Sequence, residues 1–150
     1  MKLTIMAICL ITLLALPALI IAQKAPASDA ILGVWFNAEK DAKIEITKED
    51  GKFFGKVIWL KHPLNEQGKP KTDVENPDAK LKSRPRLGLV VLTDLAYKGS
   101  NKYEKGKIYD PKSGKTYSAQ AELANNNLLK LRGFIGVSLI GRTSEWTRTQ

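Results

Sequence analysis

Three consecutive segments decide the fold: TYSAQAEL (116–123), ANNN (124–127) and LLKLRGF (128–134). In the first, Tyr117, Ala119, Ala121 and Leu123 fall on one face and polar residues on the other. In the third, Leu129 and Leu131 alternate with Lys130 and Arg132 in the same way. A period of two is that of a half-buried strand. Asn125-Asn126-Asn127 between them is a turn of residues that tolerate left-handed backbone. The unit is therefore a β-hairpin with one face in a core.

The same pattern spreads outward from this hairpin. Ile31–Phe36 is the first expected strand. Ala42–Lys48 alternates, with Ile44 and Ile46 on one face, and Asp50-Gly51 then turns the chain into Phe53–Leu60. After a long loop, Leu87–Thr93, Tyr103–Asp110 and Arg142–Arg148 complete the set, with Val137–Ile140 as a short apolar stretch bracketed by Gly136 and Gly141. No helical period of any length appears. About eight strands joined by short turns predict an all-β, antiparallel, up-and-down barrel able to hold one small ligand.

Lys61–Arg86 interrupts this order with a largely polar stretch of 26 residues that includes four prolines. So long a loop in a compact domain carries structure or function of its own. Asn76-Pro77-Asp78 reads as a helix start, so a short helix is expected from there to about Ser83. The oxygen-rich set Asp73, Glu75, Asn76 and Asp78 lacks the ligand spacing of a calcium loop, and capping explains it better. Gly106, Gly114, Gly133, Gly136 and Gly141 are expected to permit turns, bulges or close strand approach.

The chain of 150 residues carries 24 Lys+Arg against 15 Asp+Glu, a net charge of +9, with one His and one Cys. One Cys excludes an intrachain disulfide framework and Cys-rich zinc sites, and one His excludes multi-His metal sites. No metal and no cofactor is expected. Gly114-Lys115-Thr116 imitates the end of a phosphate loop, but Tyr109 stands where its first Gly belongs and a strand follows. His62 is the one candidate imidazole base, without a G-x-S-x-G element or paired carboxylates around it, so a non-enzymatic protein is expected.

Lys2 precedes an uncharged run from Leu3 to Ala22, with Pro17 near its end. Residues 1–22 are read as a secretory signal cut before Gln23, 23–30 as a linker and 31–150 as one barrel domain. A retained anchor is the alternative, since about 20 apolar residues can span a bilayer. Removing 22 of 150 residues leaves 128, and losing Lys2 takes the net charge from +9 to +8. Cys9 leaves with the signal. Export to the periplasm or medium argues against nucleic acid as the partner of the basic surface. It favours an anionic envelope component, with no stable membrane span after cleavage.

FGKVIWL (54–60), GKPKTDVENPDAKLKSRPRLGL (68–89), GKIYDPKSGKTY (106–117) and LRGFIGVSLIGRTSEWTR (131–148) together resemble the bacterial domain-of-unknown-function family 2147. Gly33-Val34-Trp35 also resembles the start of a lipocalin-like barrel. The resemblance runs in order from Leu32 to Arg148 and implies small exported proteins with that barrel fold. It implies no activity, ligand or catalytic set. Members commonly carry Cys near the second hairpin, where this chain has Phe54, so a redox role is not implied here.

Two functions are expected from these residues. The first is binding of a small hydrophobic or amphipathic, lipid-like ligand in the cell envelope. Trp35, Trp59, Tyr117, Phe134 and Trp146 would line the interior, with Arg132 or Arg142 at a polar head group. The second is docking of an anionic envelope partner through Lys80, Lys82, Arg84 and Arg86 on the long loop.

Overall fold

The computed structural model describes residues 27–149. The segment read as a signal, and the first residues of the expected linker, lie outside the described residues. Eight antiparallel strands form one closed barrel in sequence order: β1 (Gly33–Phe36), β2 (Ala42–Glu49), β3 (Lys52–Leu60), β4 (Val90–Gly99), β5 (Lys102–Asp110), β6 (Lys115–Asn125), β7 (Leu128–Phe134) and β8 (Gly141–Arg148). The expected all-β, up-and-down barrel is what forms.

The alternation that predicted the hairpin also sets its register. Ala121 faces Leu131 and Leu123 faces Leu129, and all four are buried. A one-residue slip would turn this whole set outward, so burial fixes the pairing. The seam between first and last strands is short, with only Trp35 opposite Arg148 and Phe36 opposite Thr147. A backbone bond from Thr149 N to Val34 O (2.9 Å) extends it.

Three boundaries differ from the sequence reading. Ala27–Ile31 form a 3-10 helix where a linker and the start of a strand were expected. Ile31 is fully buried, so the turn is part of the core. Its Asp29 is tied to β2 by Lys48 at 2.7 Å. β4 runs on to Gly99 instead of ending at Thr93, because Asp94 adopts a left-handed backbone (φ 59°) at a register shift and the strand continues past it. In the long loop the helix is only a 3-10 turn at Ala79–Leu81, capped by Asp78, whose carboxylate accepts from Lys80 N at 2.9 Å.

The barrel has two unlike ends. Strand direction puts the 3-10 helix and the turns at 50–51, 100–101 and 126–127 at one end. That end is plugged by Ile31, Trp35, Phe53, Tyr103 and Leu129, each fully buried. Phe53 and Tyr103 meet edge to face with centroids 5.3 Å apart. The Tyr103 hydroxyl donates to Ser28 O at 2.9 Å, and Trp35 Nε1 donates to Ile31 O at 2.9 Å, so the polar atoms of the plug hold the 3-10 helix against it. Burial pushes the Tyr103 phenol up to about 12. Gly33 has φ +120°, and a Cβ there would stand 2.7 Å from Arg148 Nη1, so only glycine lets Arg148 lie across this end.

Candidate cavity and its rim

The opposite end is open. It is framed by residues 37–41, the long loop 61–89, the turn 111–114 and the loop 135–140. A cavity of about 640 Å³ descends from it into the barrel. Pockets for small organic ligands are typically about 300–1,000 Å³. Ile44, Val57, Val91, Leu131, Phe134 and Trp146 give the cavity apolar walls, with Tyr109 and Tyr117 among them. Inward-facing residues of alternating strands make such a wall automatically, because every second side chain points to the axis.

The rim is charged and partly locked. Asn37 Oδ1 accepts from the backbone N–H groups of Asp41 and Ala42, both at 3.0 Å, and Asn37 Nδ2 donates to Asp41 Oδ1 at 2.6 Å. Asp41 then pairs with Lys112 at 3.0 Å, tying the loop 37–41 to the turn 111–114. Burial works to raise the Asp41 carboxyl, but the bonds from Asn37 and Lys112 outweigh it and hold it below its usual value. The hydrogen bond to Asp41 and its charge raise Lys112 in turn. His62, Lys71 and Arg142 also stand on the cavity wall or rim. Their side chains make no hydrogen bond or ion pair with another described residue.

The long loop is an ordered flap built on one buried charge. Asp73 is fully buried. It accepts from Tyr109 Oη (2.6 Å), Asn76 Nδ2 (2.9 Å) and Arg84 Nε (2.9 Å), and Arg84 Nη2 lies 2.8 Å away. Burial would raise this carboxyl, but the Tyr109, Asn76 and Arg84 bonds together hold it below its usual value. Arg86 donates to Thr72 O and Pro111 O, both at 2.9 Å. Gly114, at φ +70°, packs directly on the Glu75 carbonyl, which a Cβ would strike. The oxygen-rich set thus serves the loop's own architecture, and among the described residues no group of three or more metal-binding side chains occurs.

The sequence-predicted site residues separate into three groups. Tyr117, Phe134, Arg142 and Trp146 all line the cavity. Trp35 is interior but belongs to the closed end, below the cavity. Trp59 is a correction: it is 38% exposed on the outer face, edge-on to Phe36 at 6.1 Å with Lys43 above its ring. The shift at Lys43/Ile44 is the cause, since Val57 opposes Ile44 while Trp59 opposes Lys43, and this sends Trp59 outward. Arg132 is also outside. Its guanidinium donates to Ser138 O (2.7 Å), Thr143 Oγ1 (2.9 Å) and Leu139 O (3.2 Å).

The docking set is likewise divided. Arg84 and Arg86 are committed to Asp73 and to backbone carbonyls, which leaves Lys80 and Lys82 as its exposed cations. Sequence reasoning did not find Lys71, Asn37 or Asp41 at the rim. No local pattern marks a rim residue, because strand tilt and loop path bring these positions together. His62, read as a solvated loop residue, does reach the cavity. It makes no hydrogen bond to a carboxylate, and the buried carboxylate Asp73 is not on the cavity wall.

Among the described residues no helix is long and apolar enough to cross a membrane. A search of the curated proteins finds no match. Among solved structures, the chain is similar to protein HP1028 of Helicobacter pylori, whose description places it in the lipocalin family. The identity is 28%, the TM-score 0.69, and the match covers 79% of this chain and 82% of that one. The sequence profile of the family described as "Uncharacterized protein conserved in bacteria (DUF2147)" matches residues 33–148. With its closed eight-stranded barrel and end-opening cavity, the chain belongs to this bacterial family, and its fold is lipocalin-like.

Proposed function

We propose that the protein binds one small amphipathic ligand, with the apolar part in the barrel and an anionic head group at the rim. The observation that carries this reading is the cavity itself, about 640 Å³ with aliphatic and aromatic walls. Arg142 and Lys71 stand over it with no partner among the described residues. A buried apolar wall open to water is unfavourable unless something covers it, and each side chain covered by a ligand contributes roughly 1.5–3 kcal/mol. A guanidinium without a carboxylate partner is matched to carboxylate or phosphate. The lipocalin-like fold supports binding over catalysis.

Cell-envelope location belongs to the same proposal. It rests on the basic start, apolar run and small residue at the expected cut in residues 1–22.

Native mass spectrometry of the protein purified from its own host tests the reading, with a co-purifying lipid-like anion as the expected result. Titration with 8-anilinonaphthalene-1-sulfonate, an aromatic anion, tests it in vitro through dye emission and transfer from Trp146. A chain that carries nothing from its host and leaves the dye dark overturns it.

A further inference from the structure

The loop that joins β7 to β8, Ile135-Gly136-Val137-Ser138-Leu139-Ile140, is apolar and stands in water. Ile135 is 68% exposed, Val137 59%, Leu139 89% and Ile140 72%. Four large aliphatic side chains in a six-residue loop are costly to hydrate. The loop sits at the open end, and Ile135 and Ile140 also line the cavity. Its apolar surface is thus continuous with the binding site.

The loop is also held in shape. Arg132 reaches across from β7 and donates to the Ser138 and Leu139 carbonyls, while Ile140 N closes a turn on Val137 O at 3.1 Å. These bonds satisfy backbone acceptors at the apolar tip. That matters for one environment above others, because a carbonyl entering hydrocarbon without a donor costs several kcal/mol.

We propose that this loop is a membrane-contact element, which dips Val137 and Leu139 into the outer layer of an anionic bilayer and opens the cavity toward it. The ligand would then pass between lipid and barrel without crossing water, so the inference rests on the amphipathic-ligand reading above. Charge supports a bilayer: the long loop at the same end carries seven cationic and four acidic side chains, and Arg142 flanks the apolar tip. Size also favours lipid over protein. A stable protein interface needs about 800 Å² on each partner, more than a six-residue tip presents. A few inserted aliphatic side chains plus nearby cations suffice for reversible membrane binding.

The test places a reporter at the tip. Leu139→Trp is read against wild type with vesicles of phosphatidylglycerol and phosphatidylcholine, plain or brominated along the acyl chain. Insertion shifts the added emission to the blue, and bromine quenches it. This reads the tip itself, whatever else tethers the chain. In parallel, Val137→Ser with Leu139→Ser is expected to weaken vesicle association by about tenfold or more. Soluble anilinonaphthalene sulfonate binding should stay intact, since neither side chain lines the cavity. Vesicles of phosphatidylcholine alone are expected to bind more weakly.

If the emission added by Leu139→Trp ignores brominated lipid, in a chain that still binds the dye, the membrane role is overturned and the ligand reading stands. Equal vesicle affinity of the serine variant overturns it as well. Capture of a protein through these side chains in place of lipid would do the same. A wild-type chain that leaves the dye dark defeats the ligand reading, and the proposed transfer falls with it.

Discussion

The Arg148 guanidinium lies 4.1 Å from the centre of the Trp35 ring and donates to three backbone carbonyls around it. Nη2 reaches Ala30 O at 2.7 Å, Nη1 reaches Leu32 O at 2.6 Å and Nε reaches Asn126 O at 2.6 Å. One side chain from the last strand thus joins the 3-10 helix, the residue that leads from it into β1 and the 126–127 turn. The planar fork matches three acceptors in different directions while its face covers the indole. Arg148→Ala is expected to destabilise the barrel by about 2–3 kcal/mol, and Arg148→Lys to recover less than half of that. Urea unfolding of both variants measures it. A loss within error of zero for alanine would mean the closed end is held by apolar packing alone.

Tyr103 makes the same end sensitive to alkali. Its phenol is raised to about 12 by burial, above the ordinary value of about 10. The folded state therefore favours the protonated form. Its contribution is complete below about pH 10 and is lost as pH rises through the interval up to 12. Tyr103→Phe is expected to lower stability at neutral pH by about 1 kcal/mol through the lost bond to Ser28 O. The variant should also flatten the fall in melting temperature above about pH 10.

Asp73 gives the long loop the opposite dependence. Its carboxyl is held below the usual value, so its contribution is complete above about pH 4. It is lost as pH falls through the depressed folded value. Asp73→Ala leaves Arg84 and Tyr109 without their shared acceptor and is expected to cost about 3 kcal/mol. Asp73→Asn should remove this acid step. Hydrogen exchange across residues 61–89 is the direct readout, with protection of the Arg86 and Lys71 region lost before that of the strands.

Two substitutions separate cavity from surface. Ser144 lines the cavity, and Ser144→Phe is expected to fill part of it and lower anilinonaphthalene sulfonate affinity by about tenfold, with a stability change under about 3 kcal/mol. Trp59→Ala, on the outer face, is expected to leave dye affinity unchanged. A loss of affinity at Trp59 equal to that at Ser144 would contradict the inside-to-outside assignment.

Arg142 tests the head-group side. Arg142→Gln is expected to weaken the sulfonate dye by about fivefold and to leave an uncharged aromatic probe unaffected. An equal effect on both probes would place Arg142 in the wall's packing and not in charge recognition.

Residues 116–134 alone determined the strand alternation, the hairpin turn and the buried leucines, because a period of two survives in one dimension. The same logic located Tyr117 on the inner face. It failed at Trp59, where a bulge changes the phase after Lys43, and at Asp94, where a left-handed residue lets a strand continue. It also read Arg84 and Arg86 as free charges. Their partners lie at Asp73, Thr72 and Pro111, and a bond to a backbone carbonyl leaves no mark in the sequence. Only tertiary structure decided that one end is sealed by Arg148 on Trp35 and the other open beneath Arg142. Both ends are made of loops whose positions follow from barrel closure, and closure joins residues more than a hundred positions apart.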